Sequence, residues 1–119
     1  MLLEMLLGKL HRATVTGTKI DYEGSIAVDP RLIIKAGLRE YLKVAVYNVN
    51  NGSRFETYLV NGKPGAREVI VMGAAARLVM PRDRVIIAGF ALVDPVELKR
   101  GWKPSVVVLD ERNRVTGTH

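Results

Sequence analysis

Cysteine is absent from the 119-residue chain. That excludes disulfides, thiolate zinc sites, iron–sulfur clusters and a cysteine nucleophile together. Histidine is scarce: His11 and His119 are the only two, and His119 is the last residue. A multi-histidine metal site is excluded, and no metal is expected. Long apolar runs are missing as well. Met1–Leu7 is interrupted by Glu4, and Val85–Val93 is short. A membrane-crossing helix needs roughly 18–20 apolar residues, so no membrane partner is expected. Residues 1–7 lack the basic leading region and small-residue cleavage site of a secretory signal, and a cytoplasmic location is expected. Aromatic residues make up only 6%. A single-strand nucleic-acid binder stacks bases on rings spaced along a groove, and this chain is poor in rings.

Acidic residues are outnumbered, 12 against 18 basic, for a net charge of +6. A basic surface attracts anions. The charge is scattered, with its densest grouping at Lys99, Arg100, Lys103, Arg112 and Arg114 and no run of five. Nucleic acid is therefore not the expected partner, although a basic, non-catalytic binding module stays open as an alternative. The length fits one domain spanning residues 1–119. About two thirds of the unfolded surface can be buried at this size, enough for a core without staples.

Period-two patterning dominates what is present. Lys9–Thr16 (KLHRATVT) reads as a half-buried strand rich in β-branched residues. In Leu42–Val49, the residues Leu42, Val44, Val46 and Asn48 share one face. Asn50-Asn51-Gly52 follows, a tight-turn signal, and Ser53–Val60 returns to complete a hairpin. Asn61–Gly65 is the next turn, and Glu68–Met72, Val85–Leu92 and Ser105–Leu109 read as further short strands. Asp29-Pro30 caps and opens one helix that Gly37 closes, and Gly73–Leu78 reads as a second short helix. Many short strands with two small helices predict a mainly β fold, a small closed barrel, because an open sheet would leave unpaired edges.

No phosphate loop, dinucleotide fingerprint or nucleophile elbow is found. On local sequence alone, Asp21–Ser25 is an inter-strand loop in which Gly24 supplies a conformation other residues resist. Its neighbours change that reading. Gly8–Arg12 (GKLHR), Tyr22–Ser25 (YEGS), Asn48-Val49 with Asn51-Gly52, Arg54-Phe55, Thr57-Tyr58, Gly73–Ala76, Asp83 and Val85–Ala88 occur in order and at matching spacing. In these stretches the chain resembles the pyruvoyl-dependent aspartate 1-decarboxylases, over about residues 5–110.

The resemblance implies a double-psi β-barrel assembled as a homotetramer, with sites between subunits. It also implies self-cleavage between Gly24 and Ser25 into chains 1–24 and 25–119, leaving a covalent pyruvoyl group formed from Ser25. That group is the cofactor: L-aspartate condenses with it as a Schiff base and loses carbon dioxide, giving β-alanine for pantothenate. By the same resemblance, Tyr58 donates a proton to the carbanion, and Thr57, Gly73, Ala74 and Ala75 contact the substrate. Lys9 and Arg54 are the cations assigned to its carboxylates, and His11 and Tyr22 support the cleavage site. Thr57 and Tyr58 are adjacent and point to opposite faces of a regular strand. A bulge there, or a site at a subunit boundary, is expected.

Met72 departs from the pattern, standing where the family usually carries asparagine. Methionine cannot donate to an oxyanion. Tyr47 replaces a common tryptophan, and Ile26 follows Ser25 where cysteine is often seen. The alternatives left open are an uncleaved interaction protein and a pyruvoyl decarboxylase of another amino acid.

Overall fold

β-Branched residues, alternating in Lys43–Asn48 and consecutive in Val69–Met72 and Ser105–Leu109, favour extended chain in this computed structural model, which describes residues 1–119. The elements in chain order are β1 (Leu3–Thr14), β2 (Gly17–Lys19), β3 (Ser25–Val28), α1 (Pro30–Lys35), β4 (Lys43–Asn48) and β5 (Arg54–Asn61). There follow β6 (Val69–Met72), a 3-10 helix (Gly73–Leu78), β7 (Arg84–Val93), α2 (Pro95–Lys99), β8 (Ser105–Leu109) and β9 (Val115–Thr118). All nine strands join one mixed sheet in the order β2-β6-β3-β5-β4-β7-β1-β8-β9.

β1 is longer than its sequence pattern suggested, because the apolar opening run continues it toward the N-terminus. It pairs antiparallel with β7 and parallel with β8. Its register against β7 shifts twice, between Leu6 and Gly8 and between Leu10 and Ala13. Such bulges bend a strand. The bent chain then serves two partners. Val15 exchanges backbone bonds with Asp83 and Arg82 beside β7, while Thr16 donates to Val69 on β6.

The β4–β5 hairpin forms as its pattern predicts. Val44, Val46 and Asn48 are 2% exposed or less, and Gly52 takes the turn at φ +76°. Asn48 is buried as a connector. Its Nδ2 donates to Asp83 Oδ2 at 2.8 Å and to the Leu78 carbonyl at 3.1 Å. That ties the far end of the 3-10 helix to the hairpin. Inward-facing Leu10, Ile26, Val46, Leu59, Val71 and Ile87 are fully buried and form the centre of one continuous core.

Three short helical pieces replace the two expected. α1 begins as predicted, with Asp29 Oδ1 accepting from Arg31 N at 3.0 Å and proline at the first turn. Asp94-Pro95 repeats that signal and opens α2, a helix beyond the two expected. Gly73–Leu78 is helical but wound as a 3-10 helix. β2, β3 and β9 were also not anticipated.

Candidate active site

Ser25 stands at the first position of β3 and is 5% exposed. Across the antiparallel pair it faces Met72, and Ile26 faces Val71. On its other side β3 runs parallel to β5, with Ile26 beside Leu59. One residue earlier on both strands, that register sets Ser25 next to Tyr58. Ile26, Leu59 and Val71 are all buried in the core. Strand alternation therefore turns Ser25, Tyr58 and Met72 to the opposite, outer face together.

Gly73 fixes the segment before Ser25. It adopts φ +81°, which side chains resist. A Cβ there would stand 2.6 Å from Gly24 Cα, 2.9 Å from Gly24 N and 3.1 Å from the Tyr22 carbonyl oxygen. Only glycine lets the 21–24 loop lie against the start of the 3-10 helix. Gly24 itself has no positive φ, and open space surrounds its Cβ direction. This corrects the expectation for Gly24: the special conformation belongs to Gly73, because two backbones meet there.

Met72 is the N-cap of the 3-10 helix and gives it no side-chain cap. A thioether cannot accept as an asparagine amide would. The backbone N–H groups of Gly73, Ala74 and Ala75 thus begin a helical turn without a side-chain partner. Gly73 is buried, Ala75 half-buried and Ala74 exposed.

Tyr58 is 40% exposed and lies opposite Lys43 on β4. The β4–β5 register runs without a shift, so the bulge considered for Thr57 and Tyr58 is absent. Thr57 lies opposite buried Val44 and Tyr58 opposite Lys43. Both still reach one shallow cavity of about 280 Å³, shared with Lys43 and Glu56. Those two charges pair at 3.0 Å, largely in solvent.

The remaining candidates do not converge on Ser25 within one chain. Arg54 stacks on the Tyr47 ring at 4.0 Å. It sits four residues from Tyr58 along β5, about 13 Å at strand spacing. Lys9 lies on β1, with β7, β4 and β5 between it and β3. His11 lies opposite Val108 on β8, and its buried Nδ1 has no hydrogen-bond partner. Burial, then Lys9, Arg12 and Arg84, hold its pKa below the ordinary 6.5. Its neutral form is favoured. Tyr22 is 61% exposed, with the Lys19 ammonium 5.2 Å from its ring centre. The Tyr22 carbonyl oxygen faces Gly73, at the start of the 3-10 helix.

The site is thus a buried serine after a glycine, on a strand paired with the one that leads into a glycine-led turn, with a tyrosine in register beside it. A sequence model of the aspartate decarboxylase family matches residues 1–116, and the chain belongs to that family. Among curated proteins, an aspartate 1-decarboxylase of Burkholderia vietnamiensis is 47% identical over 113 residues, covering 95% of this chain and 88% of that one. One of Syntrophus aciditrophicus is 50% identical over 111 residues, covering 93% and 95%. One of Burkholderia mallei is 46% identical over 114 residues, covering 96% and 89%. The alternative of an unrelated basic binding module loses its ground.

Proposed function

We propose that this chain is an aspartate 1-decarboxylase that converts L-aspartate to β-alanine and carbon dioxide, supplying pantothenate synthesis. It first cuts itself between Gly24 and Ser25. The observation that carries this reading is the seating of that peptide: Gly24 against Gly73, Ser25 buried against Met72, and Tyr58 beside Ser25 in the parallel register.

The chain's own residues account for the cut. The Ser25 hydroxyl adds to the Gly24 carbonyl, and the amide becomes an ester as Ser25 N is released. Loss of the Ser25 α-proton expels the Gly24 carboxylate from the β-carbon. Dehydroalanine remains at residue 25, and water converts it to a pyruvoyl group with release of ammonia. Serine is needed because elimination requires oxygen on the β-carbon. Gly73 leaves the loop room to sit close enough, and the uncapped N–H groups at 73–75 offer donors for oxyanion or carboxylate charge.

Once formed, the pyruvoyl group supplies an electrophilic carbonyl and a sink for the electrons released with carbon dioxide. No metal is required in this chemistry. Tyr58 holds a phenol at the outer face beside residue 25, where it can deliver a proton to the α-carbon. Thr57 shares the cavity wall, and Lys9 and Arg54 are assigned to the substrate carboxylates.

Those two cations stand apart from Ser25 in a single chain, so the site is completed by a second copy in a homotetramer. Exposed apolar side chains support this assembly: Tyr41 is 73% exposed, Met80 69% and Leu92 65%. A closed double-psi barrel is supported by the bonding of residues 3–19 to both β7 and β6, which links the two limbs of the sheet.

The test is the intact mass of the denatured protein. Two chains, 1–24 and a 25–119 chain carrying pyruvoyl in place of serine, are expected, followed by β-alanine formation from aspartate. Ser25→Ala is expected to fold, stay whole and be inactive. Cleavage of that variant after Gly24 would sink the mechanism. Cleavage of the parent with turnover of a different amino acid would correct only the substrate.

A further inference from the structure

Arginine side chains gather around one cavity that shares no residue with the Ser25 site. It encloses about 660 Å³ and is lined by Arg12, Thr14, Arg82, Arg84, Glu111 and Arg112, with no apolar side chain. Four guanidiniums against one carboxylate leave a formal charge of +3 (4 − 1). None of the four arginines is in an ion pair; the protein's three pairs lie at Lys43–Glu56, Arg100–Glu97 and Arg114–Asp110.

Arg84 is pinned without being neutralised. Its Nε and Nη2 donate to the Arg12 carbonyl at 3.0 and 2.7 Å, and Nη2 also donates to the Leu109 carbonyl at 3.0 Å. Arg12 and Arg82 both sit at positive φ, +65° and +80°, a conformation non-glycine residues avoid. The cluster therefore combines uncompensated like charge with backbone strain.

A separate observation points to a ligand. Thr14 is 8% exposed, and its Oγ1 is buried without a hydrogen-bond partner. A buried polar atom of that kind calls for an explanation. Ala13 faces the core, so alternation turns Thr14 outward on the same side as its cross-strand neighbour Arg84. The Thr14 backbone is held on both sides by Asn113, which accepts from Thr14 N at 2.7 Å and donates to Thr14 O at 2.9 Å. The hydroxyl is a fixed, unused donor in the wall of a cationic cavity. The field there also weighs on His11, whose pKa is lowered by burial and then by Lys9, Arg12 and Arg84.

We propose that this cavity is a binding site for a small diphosphate anion. Guanidinium forks match phosphate oxygens in pairs; Arg12, Arg82 and Arg112 keep theirs free for two phosphate groups, and Arg84, its Nε and Nη2 spent on carbonyls, adds Nη1 and its charge. The charge of +3 suits a ligand with about three negative charges, as a diphosphate carries near neutral pH. The wholly polar lining gives a nucleobase or acyl chain nothing to pack on. Glu111 limits the charge and can accept from a ligand hydroxyl or a protonated phosphate oxygen.

Calorimetric titration of the full-length protein with inorganic diphosphate tests the site, with orthophosphate, citrate and ADP as comparators at matched ionic strength. Diphosphate is expected to bind one per chain, at least tenfold tighter than orthophosphate or citrate. The double variant Arg82→Gly with Arg112→Gln is expected to weaken it at least tenfold. Arg82→Gly relieves the positive-φ strain, so the variant's thermal midpoint is expected to stay at or above the parent's. Thr14→Val is expected to weaken binding several-fold. ADP binding no tighter than diphosphate would assign the free anion; tighter ADP binding, lost in the same double variant, would assign a nucleoside diphosphate bound through the same groups. No heat at millimolar diphosphate, citrate binding as tightly, or an unaffected double variant would each overturn the proposal.

Discussion

Gly73 carries two constraints at one atom. Its φ of +81° disfavours any side chain, and its missing Cβ is the space Gly24 occupies. Gly73→Ala should therefore displace the 21–24 loop while leaving the core intact, since Val71 and Ile26 belong to the core and Gly73 does not. The expected outcome is cleavage slowed at least tenfold, followed by mass spectrometry of protein aged at constant temperature. Cleavage at the parent rate would show that the Gly24–Gly73 contact does not position the scissile bond. Met72 works on the same bond from the other side. It is the cross-strand neighbour of Ser25 and the cap residue of the next helix, so a substitution there acts on both at once.

Among the elements, the β8–β9 turn is held to the rest by one side chain. Asn113 is 1% exposed and bonds Thr14 N, Thr14 O and the Arg67 carbonyl, bridging β1 to the approach of β6. Asn113→Ala removes that partner from two buried backbone groups of Thr14 and from the partly buried Arg67 carbonyl. A loss of roughly 1–3 kcal/mol is expected, read from urea unfolding, since an unsatisfied buried group costs that much. An unchanged midpoint would show that water replaces the amide at no cost. Asn113 sits at φ +58°, which asparagine tolerates, but nothing local in Asp110–Arg114 announced its long-range partners.

The same division explains what could be read in advance. The β4–β5 hairpin was legible because alternation and an Asn-Gly turn are local signals. β3 was not: Ser25–Val28 is buried at all four positions, so it shows no alternation, and its place is set by partners on β5 and β6 far along the chain. α2 was missed although Asp94-Pro95 repeats the Asp29-Pro30 signal. At the site, the residue types came from the family resemblance. That Tyr58 lies beside Ser25 while Lys9 does not is a matter of strand register, which no single segment encodes.

At the scale of the whole molecule, acid should weaken the fold in two stages. His11 is held below its ordinary pKa of 6.5, by burial first and then by neighbouring cations. The unfolded chain therefore takes up that proton at higher pH, and stability falls as pH drops below about 6.5. Asp29 is pushed upward by burial, but N–H bonds from Arg31, Arg67 and Gly65 outweigh this and hold its carboxyl below the usual 3.8. Its contribution is present above the carboxylate range and is lost as pH falls through the folded value. Urea midpoints measured from pH 8 to pH 3 are expected to be flat at first, to decline below about 6.5, and to fall again below about 4. His11→Gln should remove the upper stage and leave the lower. A midpoint that rises on acidification would contradict both signs.

β1 lies inside the sheet between β7 and β8, and it belongs entirely to residues 1–24. A cut after Gly24 therefore turns a central strand into a separate peptide, retained only by its pairing. Before the cut, denaturation and recovery are events of one molecule. Afterwards, recovery requires two polypeptides to meet again, and the longer one waits meanwhile with the β7, β8 and β6 edges bare. Maturation in this protein would make activity and the ability to start over mutually exclusive: the working form keeps a shape that it inherits from its precursor and has no easy way to regain alone.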